Sequence, residues 1–169
     1  GTPIDYPVVS PREGDPQGFY LNHDFDRNWS FAGCPYLDPR GTADGRHALV
    51  YGHHLNFDSE MFTYLRNAWR QEKFDTLGDM YWSTPDGGTM RLHPAFSLSV
   101  DKSFADIQRF DLTGAAETRT WLADLSAQAS ARADGCDDLC AHATRAGTLM
   151  TCTGNFAGGR ARTLTVFVG

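Results

Sequence analysis

Cys152 closes the run Thr148-Leu-Met-Thr-Cys, and two arginines, Arg160 and Arg162, follow one loop later. A thiol with its ordinary pKa of about 8.5 is a poor nucleophile and needs a nearby cation or base to become thiolate. The two arginines are such cations. A third group stands upstream, in Ala48-Leu-Val-Tyr-Gly-His-His, where His53 and His54 follow Gly52. A histidine and a cysteine, each at the end of its own strand, are the ingredients of thiol catalysis. The competing readings are ordinary ones: a cysteine is often a small buried hydrophobe, and a strand-end histidine is often a capped or surface imidazole.

The elements that must position these groups follow from the local pattern. Thr148–Cys152 is apolar and threonine-rich after Gly147, which predicts a strand. Asn155 and Gly158-Gly159 mark a loop, and Leu164–Val168 is β-branched and aromatic, a second strand. Ala48–Tyr51 reads as a compact buried strand that Gly52 ends. Ser59–Arg70 carries apolar residues at helical spacing, with Ser59 as N-cap. Tyr81–Thr84 and Met90–Val100 read as strands around the Pro85-Asp-Gly-Gly turn, with His93 structural and Pro94 marking an edge or bulge. Ala115–Ala133 is one amphipathic helix between Gly114 and Gly135, and Asp134–Gly147 is a loop. Ile4–Val9 contains a proline and predicts a short edge strand. The sum is a β-rich domain with helical insertions, a barrel or a sandwich.

At 169 residues and 41% hydrophobic, the chain suits one domain with a real core. Fifteen basic against twenty-one acidic residues give a net charge of −6, which argues against general nucleic-acid binding. No apolar run is long enough to span a membrane, and no signal peptide is present. The opening Gly1-Thr-Pro-Ile reads as a trimmed start. The remaining cysteines are Cys34, Cys136 and Cys140. Cys136 and Cys140, with His142 beyond, form C-x3-C-x-H. That is an incomplete set of metal ligands or a local disulfide, set against the default of two free thiols.

The chain resembles the sortases, and class B in particular, along nearly its whole length. Thr2-x-Ile-Asp-Tyr-Pro-Val-Val9 resembles the family's opening strand, and Tyr20-Leu with His23-x-Phe25 resembles the next segment. Gly33-Cys-Pro-Tyr-Leu-Asp38 is similar to the family's G-S-I-F-L-D, with Cys34 where serine is usual. Val50-Tyr-Gly-His-His54, followed by Met61-Phe62 and Leu65, is similar to its histidine motif and the helix after it. Thr148-Leu-Met-Thr-Cys152 is similar to L-x-T-C, and Cys152-Thr-x-x-Phe156-x-x-Gly-Arg160 to the class B loop from cysteine to arginine. The long helix before the cysteine strand is a class B feature. Two departures stand out. Met150 replaces a serine common in class B, and the family's strand and helices ahead of Thr2 have no counterpart.

The resemblance implies a closed β-barrel of about seven to eight strands forming one catalytic domain, residues 1–169. It implies that an N-terminal strand, helices and a membrane anchor belong to the native protein, on the extracellular face of a Gram-positive cell. The implied activity is that of a cysteine transpeptidase. Cys152 attacks the threonine carbonyl of a C-terminal sorting signal, and His53 protonates the leaving amine. Arg160, with Arg162 as its rival, stabilises the oxyanion or holds the substrate backbone. Thr151, His54 and Asn155 are the expected substrate contacts. The acyl-enzyme then passes to an amine on a cell-wall precursor or a pilin, with no metal, cofactor or nucleic acid involved. The roles left open are housekeeping anchoring, anchoring of haem-uptake proteins and pilus assembly. A hydrolytic cysteine peptidase and a catalytically inactive β-barrel binding module are the alternatives.

Overall fold

The computed structural model describes residues 1–55, 59–154 and 159–169. Among these, seven strands form one sheet: β1 (Tyr36–Leu37), β2 (His47–Tyr51), β3 (Met80–Thr84), β4 (Gly88–Asp101), β5 (Ala131–Arg132), β6 (Ala146–Cys152) and β7 (Ala161–Val168). Their order is β1-β2-β6-β7-β4-β3, with β5 paired to β4. The β2–β6 pair is parallel and the other ladders are antiparallel. Three short helices complete the described elements: α1 (Gln71–Phe74), α2 (Ala115–Ser126) and α3 (Cys136–His142), besides 3-10 turns at Phe19–Leu21 and Thr63–Leu65.

Side chains alternate across the sheet. One face carries Leu49 of β2, Phe96 and Leu98 of β4, and Leu164 and Val166 of β7. It is covered by Trp121, Leu122 and Leu125 of α2 and by Cys136 and Cys140 of α3. The other face carries Val50, Leu92, Leu149 and Phe167, which meet Leu37 of β1, Trp82 of β3, Phe62 and Leu65 in a second core. β4 serves both cores because its register shifts between Pro94 and Phe96, the bulge expected at that proline.

The expected mostly β fold is present, and hydrogen bonds among the described residues do not close its sheet into a barrel. Among the described residues no hydrogen-bonded ladder joins the edges β1 and β3. The edges approach through side chains instead: Trp82 from β3 packs with Leu37 from β1, and its Nε1–H donates to the Ala43 carbonyl at 2.9 Å. A cavity of about 490 Å³ remains at this seam, lined by Ile4, Leu77, Met80, Trp82 and their neighbours.

Several local expectations also give way. Ile4–Val9 forms no strand; only Val9 bridges Tyr36. Ser59–Arg70 buries Met61, Phe62, Leu65 and Ala68 as the spacing predicts, yet makes turns rather than a helix. Met61 adopts a left-handed φ of 52°, and the Thr63 hydroxyl takes a hydrogen bond from the Leu55 amide, so the first helical turn cannot form. The helix expected over Ala115–Ala133 stops at Ser126, because Ala131 and Arg132 pair with β4. The loop expected over Asp134–Gly147 contains α3, whose N-cap Gly135 has a φ of 72°. Cys34, Cys136 and Cys140 are free and buried, and the His142 side chain is 78% exposed, so C-x3-C-x-H is not gathered into one site.

Candidate active site

Three adjacent strands, β2, β6 and β7, carry the candidate residues to one end of the sheet. In the parallel ladder Leu49 faces Thr148 and Tyr51 faces Met150, and the Gly52 amide continues it by donating to the Met150 carbonyl at 3.1 Å. β2 ends at Tyr51, so His53 follows two residues beyond the last pair of this ladder, while β6 runs on two residues past Met150 to Cys152. On the far side of β6, Cys152 is the direct antiparallel partner of Arg162, and Arg162 in turn faces Val100 of β4. Directly opposed residues of an antiparallel pair project from the same face with Cβ atoms about 4.5–5.5 Å apart. Cys152 and Arg162 are thus paired at the end of the sheet where β6 finishes, and His53 follows the end of the neighbouring strand β2. Cys152 is free and half-buried.

Gly52 makes this placement possible. A Cβ at position 52 would stand 2.5 Å from Cδ2 of Phe62, a ring only 1% exposed. The chain passes Phe62 only without a side chain, and the next residue is His53. The His53 imidazole has Nε2 2.7 Å from the Leu21 carbonyl. That bond calls for a proton on Nε2 and orients the ring, the part a hydrogen-bonded orienting group plays for a catalytic histidine. The segment supplying Leu21 is held in turn by Tyr20 and Tyr36, with Tyr36 stacked 5.2 Å from Tyr51. Tyr51 donates its hydroxyl to Asp38 at 2.7 Å, and Arg40 neutralises that carboxylate.

The arginines have separate tasks. Arg160, the preferred partner of the thiol on sequence grounds, gives its guanidinium to Asp101 through two bonds of 2.7 and 2.6 Å. It also accepts from the Lys102 amide through its own carbonyl. The Arg160 guanidinium, and then Ser103, hold the Asp101 carboxyl below the usual carboxylate range. Arg160 thus ties the returning chain to the end of β4. Arg162 occupies the position opposite Cys152, with Nη1 donating to the Gly159 and Ala161 carbonyls at 2.8 and 3.0 Å.

Two of the expected substrate contacts lie elsewhere. Thr151 projects from the face opposite Cys152, is 2% exposed, and has no hydrogen-bond partner for its hydroxyl among the described residues. It is an interior residue because β-strand neighbours alternate. His54 is 9% exposed, and its Nε2 accepts from Nη1 of Arg66 at 3.0 Å. Asn155 lies outside the described residues. Arg66, Asp101 and the Leu21 carbonyl are contributors that sequence reasoning missed. Asp101, at the foot of a predicted strand, offered a faint signal. A main-chain carbonyl from another segment offered none.

No protein-family model and no curated protein matches the chain in sequence. Solved structures do match it in fold. Sortase B of Clostridium perfringens superimposes with a TM-score of 0.80 at 24% identity, over 99% of this chain and 88% of that one. A Staphylococcus aureus sortase B–substrate complex gives 0.77 at 22% identity, over 99% and 74%. Sortase B of Listeria monocytogenes gives 0.72 at 18% identity, over 99% and 89%.

Proposed function

We propose that this chain, which has a sortase B-like fold, is the catalytic domain of a class B-type cysteine transpeptidase. The observation that carries the reading is the Cys152–Arg162 pair of the β6–β7 ladder, with His53 two residues past the end of the neighbouring strand β2. Cys152, as thiolate, attacks the carbonyl of the scissile peptide bond in a sorting signal. Negative charge collects on the carbonyl oxygen, and the Arg162 guanidinium donates to it from the neighbouring strand. Arg162 replaces Arg160 in this role, because Arg160 is occupied with Asp101. The C–N bond then breaks, and His53 delivers its proton to the departing amine. A thioester on Cys152 remains. An incoming amine attacks it, its proton passes to His53, the C–S bond breaks, and the thiolate returns.

The donor is a secreted protein bearing a C-terminal sorting signal, and the acceptor is an amine on a cell-wall precursor or a pilin. A sortase B complexed with triglycine, similar to this chain with a TM-score of 0.77, supports an amine as the second substrate. The native setting is the outer face of a Gram-positive membrane, reached through an N-terminal anchor.

The test is mass spectrometry of the protein incubated with a panel of sorting-signal peptides, with and without an added amine. The expected result is an acyl adduct on Cys152 that converts to an amide-linked product when amine is present. An adduct that yields only free acid at every amine concentration would identify a hydrolytic thiol peptidase. A folded protein that forms no adduct with any peptide would identify a binding module.

A further inference from the structure

Inward from Cys152, the face of the sheet that carries the thiol is apolar. Side chains alternate along β6, so Met150 projects from the same face as Cys152, about 7 Å away. Across the ladders Met150 is paired with Tyr51 of β2 and Leu164 of β7, and Leu164 with Leu98 of β4. None of these four is charged. Leu98 and Leu164 are sealed, at most 1% exposed. Tyr51 and Met150 are only half-buried, as are Val100, which faces Arg162, and Phe104 just past β4. These half-buried side chains pack against the core beneath them. The Asp38 carboxylate at the Tyr51 hydroxyl is 2% exposed and neutralised by Arg40, so it does not make this surface polar. The thiol therefore stands at the end of an apolar floor that folding leaves partly open.

The chemistry fixes which part of a donor lies there. Three groups meet at the carbon that Cys152 attacks: the carbonyl oxygen, the amine that leaves and the acyl chain. The oxygen is drawn to Arg162, on the β7 side, and the amine to His53, on the β2 side. The acyl chain is left with the direction of β6 itself, and inward along β6 it passes over Met150. An extended peptide advances about 3.3 Å per residue, so the side chain that meets Met150 belongs to one of the three residues ending at the scissile bond.

We propose that Met150, with Tyr51 and Val100 beside it, is a specificity-determining residue that seats an apolar side chain of the donor, from one of the three residues on the acyl side of the scissile bond. This rests on the transpeptidase reading and adds to it the chemical class of donor that the site selects. An aliphatic side chain gains by covering the floor. An amide of the same size loses water there and finds no polar partner.

The test measures kcat/KM for sorting-signal peptides that carry leucine or its near-isostere asparagine at each of those three positions in turn. Wild type is expected to prefer leucine by about 10- to 100-fold at one of them. Met150→Gln keeps the length and adds an amide, and is expected to bring that ratio to within about threefold of one. A lower rate with an unchanged ratio would make Met150 a structural residue and overturn the proposal. A wild type that prefers leucine at none of the three positions would overturn it as well. If Met150→Gln does not fold, Val100→Thr takes its place with the same ratio as readout, and an unchanged ratio there has the same consequence. If wild type transfers no peptide, the transpeptidase reading falls. The floor is then judged by alkylation of Cys152 with N-butyl-iodoacetamide against N-(2-methoxyethyl)iodoacetamide, two reagents of one shape, each rate taken relative to glutathione. The butyl reagent is expected to react about three- to tenfold faster in wild type and not in Met150→Gln. Equal rates for the two reagents in wild type overturn the apolar floor.

Discussion

Cys152 and Arg162 are directly opposed across the β6–β7 ladder, while Arg160, two residues earlier, is turned away to Asp101. A donor that meets charge only as it develops is worth most in the transition state. Arg162→Ala is therefore expected to lower kcat/KM for peptide transfer by about 10²–10³-fold, the range found for removal of an oxyanion donor. Arg160→Ala, which breaks an exposed ion pair, is expected to cost no more than about tenfold. Steady-state kinetics on the two variants would reverse this assignment if Arg160→Ala proved the more damaging.

Gly52 faces the Phe62 ring too closely for any side chain. Gly52→Ala is expected to destabilise the fold by about 1–3 kcal/mol through overpacking and to slow acylation by displacing His53. Adding Phe62→Leu should restore part of both losses. A double-mutant cycle on thermal stability and acylation rate measures the coupling; strictly additive effects would refute the steric account.

Thr151 buries a hydroxyl with no partner among the described residues. Valine has nearly its shape without the oxygen, so Thr151→Val is expected to be neutral or to stabilise by up to about 1–3 kcal/mol. Peptide transfer should stay within about twofold of wild type, because the side chain lies behind the sheet from the thiol. A marked fall in Tm, or a rise in KM, would restore Thr151 to the substrate site.

His47 adds a pH dependence of stability. Its Nδ1–H donates to the Arg109 carbonyl and Nε2 accepts from the Thr148 hydroxyl, both at 2.9 Å. Burial pushes its pKa down to about 4 from an ordinary 6.5, so the folded state holds the ring neutral. The unfolded chain binds the extra proton between those values, so stability is whole above about pH 6.5 and falls as pH drops toward 4. The loss is about 1.4 kcal/mol per pH unit, or about 3 kcal/mol across the window. Chemical denaturation as a function of pH should show this slope in wild type and a flatter one in His47→Asn. Equal slopes would exclude His47 as the source.

The two strand ends that carry His53 and Cys152 were legible because each has a signal of its own: Gly52 before His53, and the threonine-rich run before Cys152. Which arginine pairs with Cys152 across the ladder was not, because cross-strand register cannot be read from spacing along one strand. The segment Ser59–Arg70 shows the opposite failure. Its apolar positions are buried as the period requires, but the bridge from His54 to Met61 and the Leu55–Thr63 bond impose turns. Likewise, the strands β2, β3, β4, β6 and β7 could be read from local pattern, but the contact between the sheet's edges depends on Trp82 and Ala43, far apart in sequence.

The parallel pairing of β2 with β6 has a kinetic meaning. His53 and Cys152 are far apart along the chain, and everything between them, including β3, β4 and α2, lies in the crossover. Such long-range pairing carries a large loop-closure cost and slows folding. On the transpeptidase reading, Cys152 meets Arg162 and the end of β2 only once β6 has inserted between β2 and β7, so the site is assembled late, together with the sheet itself.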